Sequence, residues 1–178
     1  MKIVFCDNSL KELINFRGEI INHFRLNGHD VVLLAPDNLA DKDKIRSLKL
    51  YSLHLQRSGM NPFKDLGYLI NLYKIYVHEK PDIVFHYTIK PNIYGSIAAF
   101  FAKIPSIAMI TGLGYAFNHS GVKTKLARMM YKFAMKFPQK VIVLNESNKD
   151  ILIKKHIVSI EKIILLKGGE GINLSCFK

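Results

Sequence analysis

The sequence predicts a single α/β domain, a parallel β-sheet of about seven strands with helices on both faces. Three observations predict it. Short apolar runs, IVF at 83–85 and SIAMI at 106–110, lack the alternation of a half-exposed strand, as expected where both faces are covered. Between such runs lie stretches whose apolar residues recur at helical spacing. The two kinds alternate along 178 residues, which is the pattern of βαβ units and a length that buries one substantial core.

Taken in order, residues 2–6 form a first strand, and 7–13 a loop feeding a helix with Phe16, Ile20, Ile21 and Phe24 on its apolar face. Asn27 and Gly28 end that helix. Residues 30–35 give a second strand, 41–48 a short charged helix, 50–56 a third strand and 57–61 a loop. Pro62 starts a long helix, with Leu66, Leu69, Ile70, Tyr73 and Val77 along one face, and Pro81 stops it. A fourth strand then leads to a helix opened by Lys90 and Pro91, and a fifth strand spans 106–110. Residues 123–137 are helical, 140–144 a strand, 145–156 a helix and 162–166 the last strand. The closing GGEGINLSCFK is turn-like.

The composition, 49% hydrophobic and 22% charged, is that of a globular chain. No apolar run approaches the length of a membrane span, and the N-terminal IVFC is too short for a signal peptide, so a cytoplasmic location is expected. Cys6 and Cys176 sit in no CxxC or Cys/His cluster, so neither a disulfide framework nor a metal site is expected. A net charge of +12 attracts something anionic: nucleic acid, a lipid surface or a phosphorylated substrate.

The charge is concentrated. Residues 83–145 contain no Asp or Glu, while Lys90, Lys103, Lys123, Lys125, Arg128, Lys132, Lys136 and Lys140 lie within them. In open α/β sheets ligands bind at the carboxyl ends of the strands. There the sequence puts His86, Tyr87, Thr88 and Lys90 after one strand, and Thr111, Gly112, Gly114 and Tyr115 after the next. These groups suit hydroxyl and phosphate recognition. Asn15 and Arg17 are expected at the start of the first helix, where free N–H groups and the helix dipole favour an anion; a capping Asn and a solvated Arg explain the same residues. TGLGYAF allows close backbone approach to a ligand, and an ordinary turn explains it equally well. His119 is the group in that loop that titrates near neutrality, or else a plain surface histidine.

The helix at 123–137 places Lys125, Arg128, Lys132 and Lys136 on one face, with Leu126, Met130, Phe133 and Phe137 roughly a third of a turn away. Such a helix suits an anionic membrane surface, or simply covers the sheet with solvated lysines outward. The first loop, DNSLKELIN, has no glycine, which excludes GxGxxG and GxxxxGK[ST] phosphate loops there; GxSxG is also missing.

Four of these stretches, NFR on the first helix, HYTIKPNIYG, ITGLGYAF and the closing GGEGINLSCF, together resemble the N-terminal domain of family 4 glycosyltransferases. The likeness is greatest to bacterial enzymes that extend lipid-linked oligosaccharides. The resemblance implies a Rossmann-like half of a GT-B fold: an acceptor-binding domain over 1–170, the start of an interdomain linker over 171–178, and a donor-binding C-terminal domain that these residues do not include. It implies retention of configuration without a metal, no cofactor in this half, and a nucleotide sugar bound mainly by the other domain. The partners it implies are that donor domain, a polyprenyl-diphosphate-linked saccharide and the anionic inner face of the cytoplasmic membrane, with no nucleic acid. Expected substrate contacts are Asn15, Arg17, Tyr87, Thr88, Lys90, Thr111, Gly112 and Gly114. The family's histidine after the fifth strand is replaced by Thr111 and Gly112, so no base carries over; His119 and Glu146 are the remaining catalytic candidates, and Asp7, Glu170 and the other domain are the further sources of a carboxylate. A GT-B epimerase acting on a nucleotide sugar, and a basic module binding lipid or nucleic acid, are the alternative readings.

Overall fold

The computed structural model describes residues 1–36, 48–55, 61–114, 117, 121–167 and 169. Among them are seven strands, β1 Lys2–Cys6, β2 Asp30–Ala35, β3 Lys49–Ser52, β4 Ile83–Tyr87, β5 Ser106–Ile110, β6 Lys140–Val143 and β7 Ile163–Leu165. They form one sheet in the order β3-β2-β1-β4-β5-β6-β7, and every neighbouring pair is parallel. The helices are α1 Leu10–Leu26, α2 Pro62–Glu79, α3 Ser96–Phe101, α4 Val122–Ala134 and α5 Glu146–Lys154. The direction of strand succession reverses between β1 and β4, and such a switch point opens a crevice at the strands' carboxyl ends.

Alternate residues of each strand feed two cores. On one face Ile3, Phe5, Val31 and Leu33 meet Leu10, Leu13 and Ile21 of α1. On the other, Val4, Cys6, Val32, Leu34 and Val84 meet Tyr68, Leu72 and Tyr76 of α2, Ala98 and Ala99 of α3, Tyr131 and Ala134 of α4, and Leu152 of α5. Each large side chain buried this way contributes about 1.5–3 kcal/mol. At the opposite end of the sheet the Glu79 carboxylate, buried at the end of α2, takes Lys2 Nζ at 3.0 Å, Lys49 Nζ at 2.6 Å and the Tyr51 hydroxyl, tying that helix to β1 and β3.

Several expectations need correction. The helix α1 begins at Leu10, because the Ser9 hydroxyl accepts the Glu12 N–H and caps it, so Asn15 and Arg17 lie well inside the helix. Of its expected apolar face only Ile21 is fully buried, and Phe16 is 39% exposed. The strand expected over 50–56 is β3 at Lys49–Ser52, and the helix expected over 41–48 lies, but for Leu48, outside the described residues. The later elements begin or end within a few residues of the expected bounds, α4 stopping at Ala134 and β7 running only from Ile163 to Leu165.

The largest error concerns α2. Of the expected stripe Leu66, Leu69, Ile70, Tyr73 and Val77, only Leu69 packs against the core, partly buried; the other four are 39–55% exposed, while Tyr68, Leu72 and Tyr76 are buried. Two apolar stripes compete on this helix, and the tyrosine stripe wins because its hydroxyls find partners inside. Tyr68 meets the Cys6 sulfur at 3.6 Å and Tyr76 meets His86 Nε2 at 2.9 Å. No described helix is long and apolar enough to cross a membrane.

Candidate functional site

The carboxyl end of β1 delivers Asp7 into the switch point with 1% of its surface exposed. Its backbone N–H still donates to Leu34 O at 3.0 Å, and Oδ1 accepts the Asn8 N–H at 2.6 Å, while Oδ2 has no hydrogen-bond partner among the described residues. Desolvation pushes this carboxyl up to about 6, against the pull of the nearby Arg17 guanidinium. Arg17 is itself buried at 6% exposure. Its guanidinium lies 4.6 Å from the centre of the Tyr87 ring and 5.5 Å from that of Phe16. A desolvated cation–π contact of this kind is worth about 2 kcal/mol. Thus α1 carries a fixed positive charge from the β1 side of the crevice onto the last residue of β4.

After Tyr87 the chain turns through Thr88 at φ 66°, a left-handed position for a β-branched residue. Pro91 supplies no N–H to the Tyr87 carbonyl one helical turn back, and the Thr88 hydroxyl donates to that carbonyl instead. The helix then widens into a π-helical turn, Pro91–Gly95, before α3. The sequence offered no sign of it. Its cause is visible at Gly95, whose backbone lies against the His86 ring so closely that a Cβ would sit 2.3 Å from the imidazole. His86, expected in a loop, is inside β4 and fully buried, and burial pushes it down to about 3, leaving it neutral. Asn92, on the same turn, donates to Met109 O at 2.9 Å and to the Tyr131 hydroxyl at 3.2 Å, locking the turn to β5 and α4.

Lys90 is not the free cation that the acid-free stretch implied. Asp65 of α2 reaches it from another part of the chain, with Nζ 2.7 Å from Oδ1, and the Tyr94 hydroxyl donates to Oδ2 at 3.1 Å. Both charged side chains are nearly buried, at 12% and 8% exposure. Distance in sequence did not measure distance in space.

The β5 loop leaves Thr111 and Gly112 exposed and turns at Gly114, φ 57°, where a Cβ would lie 3.5 Å from Ile89. The loops after β4 and β5 therefore touch. Tyr115 and His119 lie outside the described residues. Glu146 begins α5, is exposed, and pairs with Lys149 at 3.0 Å. The structure thus brings Asp7, Arg17 and Tyr87 into one cluster, sets Thr88, Lys90 and the β5 loop beside it, and leaves Asn15 half-buried on α1. Together they make a cluster at the carboxyl ends of β1, β4 and β5, with a buried guanidinium and a buried acid poised near neutrality beneath the exposed Thr111 and Gly112. That combination suits an anionic, hydroxyl-rich ligand.

A second exposed feature lies on α4. Lys125, Lys132 and Lys136 are exposed, whereas Arg128 is half-buried and donates along its own helix to Thr124 O at 3.3 Å. Beside the lysines, Val122, Leu126, Met129 and Phe133 are 44–86% exposed. Leu126 and Phe133, which a sheet-covering helix would bury, face outward. Phe133 meets Phe137 with ring centres 5.2 Å apart, and Phe137 meets the exposed Phe100 of α3 at 4.6 Å.

The fold is a Rossmann-like α/β domain, a parallel seven-stranded sheet with helices on both faces and a switch point between β1 and β4. The glycosyl transferase 4-like family model matches residues 9–145, and the chain belongs to that family. It is 30% identical over 183 residues to the N,N'-diacetylbacillosaminyl-diphospho-undecaprenol alpha-1,3-N-acetylgalactosaminyltransferase of Campylobacter jejuni, covering 99% of this chain and 48% of that protein. It is 37% identical over 110 residues to the UDP-Gal:alpha-D-GlcNAc-diphosphoundecaprenol alpha-1,3-galactosyltransferase of Escherichia coli, covering 60% of this chain and 28% of that one. Among solved structures, a glycosyltransferase from Rickettsia africae superposes with a TM-score of 0.69 at 17% identity, over 99% of this chain and 45% of that chain. The UDP-GlcNAc 2-epimerase of Methanocaldococcus jannaschii gives 0.66 at 20% identity, over 93% and 45%. These structural likenesses concern the fold. The chain spans about half the length of the first of these relatives and less of the second.

Proposed function

We propose that this chain is the acceptor-binding half of a retaining glycosyltransferase that adds a sugar from a nucleotide donor to a polyprenyl-diphosphate-linked saccharide. A second domain binds the donor, and the enzyme works at the inner face of a bacterial cytoplasmic membrane. The observation that carries this reading is the buried Arg17 held on Tyr87 at the β1–β4 switch point, a fixed cation where an acceptor diphosphate or its first sugar would lie. Both relatives are named for diphospho-undecaprenol-linked acceptors. Thr88, Thr111 and the backbone from Gly112 to Gly114 line the acceptor's path. Lys90 acts through Asp65 to hold the loop rather than as the main anion contact. The exposed face of α4 supports the membrane part of the reading: large apolar groups beside a lysine ridge suit the boundary between headgroups and acyl chains.

The test uses a polypeptide joining this chain to a donor domain, with transfer followed against acceptor and donor separately. Arg17→Ala raises the acceptor KM by about tenfold to a hundredfold, the cost of one charge-assisted contact, and leaves the donor KM unchanged. An unchanged acceptor dependence in a folded variant overturns the assignment.

A further inference from the structure

At the edge of the sheet opposite the acceptor crevice, an open cleft of about 350 Å³ lies between the end of α4, the turn after α5 and the approach to β7. Its floor is apolar, made by the buried Met135, Ile157 and Val158. Its rim is Lys132, Lys136, His156, Ser159 and Lys162, and no acid lines it. His156 is held at φ 51°, so the turn that forms this wall is fixed in a left-handed backbone position. The Glu161 carboxylate takes the Ser159 hydroxyl.

Two helices end here, and their carbonyl ends together carry about one negative charge. Dipole compensation alone could therefore explain one of the cations. Lys162 fills that part: its ammonium donates to Lys136 O and, at 3.0 Å, to Pro138 O, just beyond α4. Lys132 and Lys136 remain, with no ion-pair partner among the described residues, and His156 stands beside them. The net potential of the cleft is positive over an apolar floor. Lys132 and Lys136 also border the exposed apolar flank of α4, so the cleft adjoins the surface assigned to the membrane.

We infer that this cleft is a phosphate-binding site, filled by the phosphodiester headgroup of an anionic phospholipid. Only the lipid source rests on the membrane reading above; the oxyanion chemistry rests on the cleft itself. Zwitterionic choline headgroups are disfavoured, because their trimethylammonium would enter a rim of cations.

The test titrates the chain, followed by amide NMR, with dihexanoylphosphatidylglycerol below its micelle concentration, with dihexanoylphosphatidylcholine and with inorganic phosphate. Saturable shifts centred on His156, Ser159 and Lys136 are expected with the glycerol lipid. Binding should weaken about tenfold to a hundredfold in Lys136→Gln and in His156→Asn, which tolerates the backbone position, and stay unchanged in Lys74→Gln, an exposed position on α2. Absence of saturable shifts, or equal affinity in Lys136→Gln, overturns the site. Saturation by inorganic phosphate but not by the lipid overturns the lipid source. Vesicle co-sedimentation, run in parallel with Lys125→Glu, separates the two ideas: its loss with no headgroup shifts leaves α4 as a membrane face and removes the cleft.

Discussion

Lys90 and Asp65 form an almost buried ion pair, Nζ 2.7 Å from Oδ1, that fastens the start of the turn after β4 to α2. Removing either partner leaves a buried charge whose remaining contacts are weak. Lys90→Ala and Asp65→Ala should each cost about 3–5 kcal/mol in urea unfolding, with the double variant costing less than their sum. A wild-type midpoint for Lys90→Ala would show that water, not Asp65, solvates the lysine.

Gly95 and Gly18 make a matched pair. A helical glycine normally gains about 0.5–1 kcal/mol on becoming alanine, and Gly18, with nothing within 4 Å of its would-be Cβ, should do so. Gly95→Ala should instead lose about 1–3 kcal/mol, because the methyl group overlaps the His86 ring. Thermal melts of the two variants should move in opposite directions.

Asp7 is pushed from an ordinary 3.8 up to about 6. The folded state then holds the proton more tightly than the unfolded one, so its contribution is complete below pH 4 and is lost as pH rises through 6. His86, lowered from 6.5 to about 3, acts in the other direction: its contribution is complete above pH 6.5 and is lost as pH falls. Asp7→Asn should therefore raise stability at pH 7.5 by up to about 3 kcal/mol, show little difference at pH 4, and expose the acid-side decline due to His86. Equal effects at both pH values would refute the desolvated carboxyl. The same variant should impair transfer, since a charge that costs stability is retained where a site uses it.

The outward face of α4 should bind anionic vesicles. With each lysine near the surface worth about 1 kcal/mol, replacing Lys125, Lys132 and Lys136 by Gln should weaken co-sedimentation about a hundredfold. Replacing Leu126, Met129 and Phe133 by Ser should weaken it further while leaving thermal stability within about 1 kcal/mol, because these side chains are already exposed. A marked stability loss with intact vesicle binding would return the helix to a purely structural role.

The sheet was legible in the sequence because parallel strands covered on both faces leave unbroken apolar runs; β1, β2 and β5 fall on their expected bounds. That β4 and β5 lie side by side, with their carboxyl ends together, followed from the alternation of strands and helices. Which stripe of α2 turns inward did not follow, since Leu66, Ile70 and Val77 are as apolar as Leu72, and only Cys6 and His86 across the core decide for the tyrosines. The Asp65 partner of Lys90 was hidden for a related reason: it lies 25 residues away, on a helix whose facing was misread. The π-helical turn left no trace, because PNIYG is compatible with an ordinary helix until the His86 ring stands behind Gly95.

The pairing of β1 with β4 sets the order in which this protein can come into being on the ribosome. Ile3 lies beside Ile83, so the central strand has one open edge until some eighty further residues have emerged. Before then β1 can pair with β2 as a nascent sheet, but Tyr87 is not yet there to receive Arg17. The contact of Arg17 with Tyr87 therefore cannot form until β4 has been made, and until then the unpaired flank of β1 is an open strand edge of the kind that pairs wrongly.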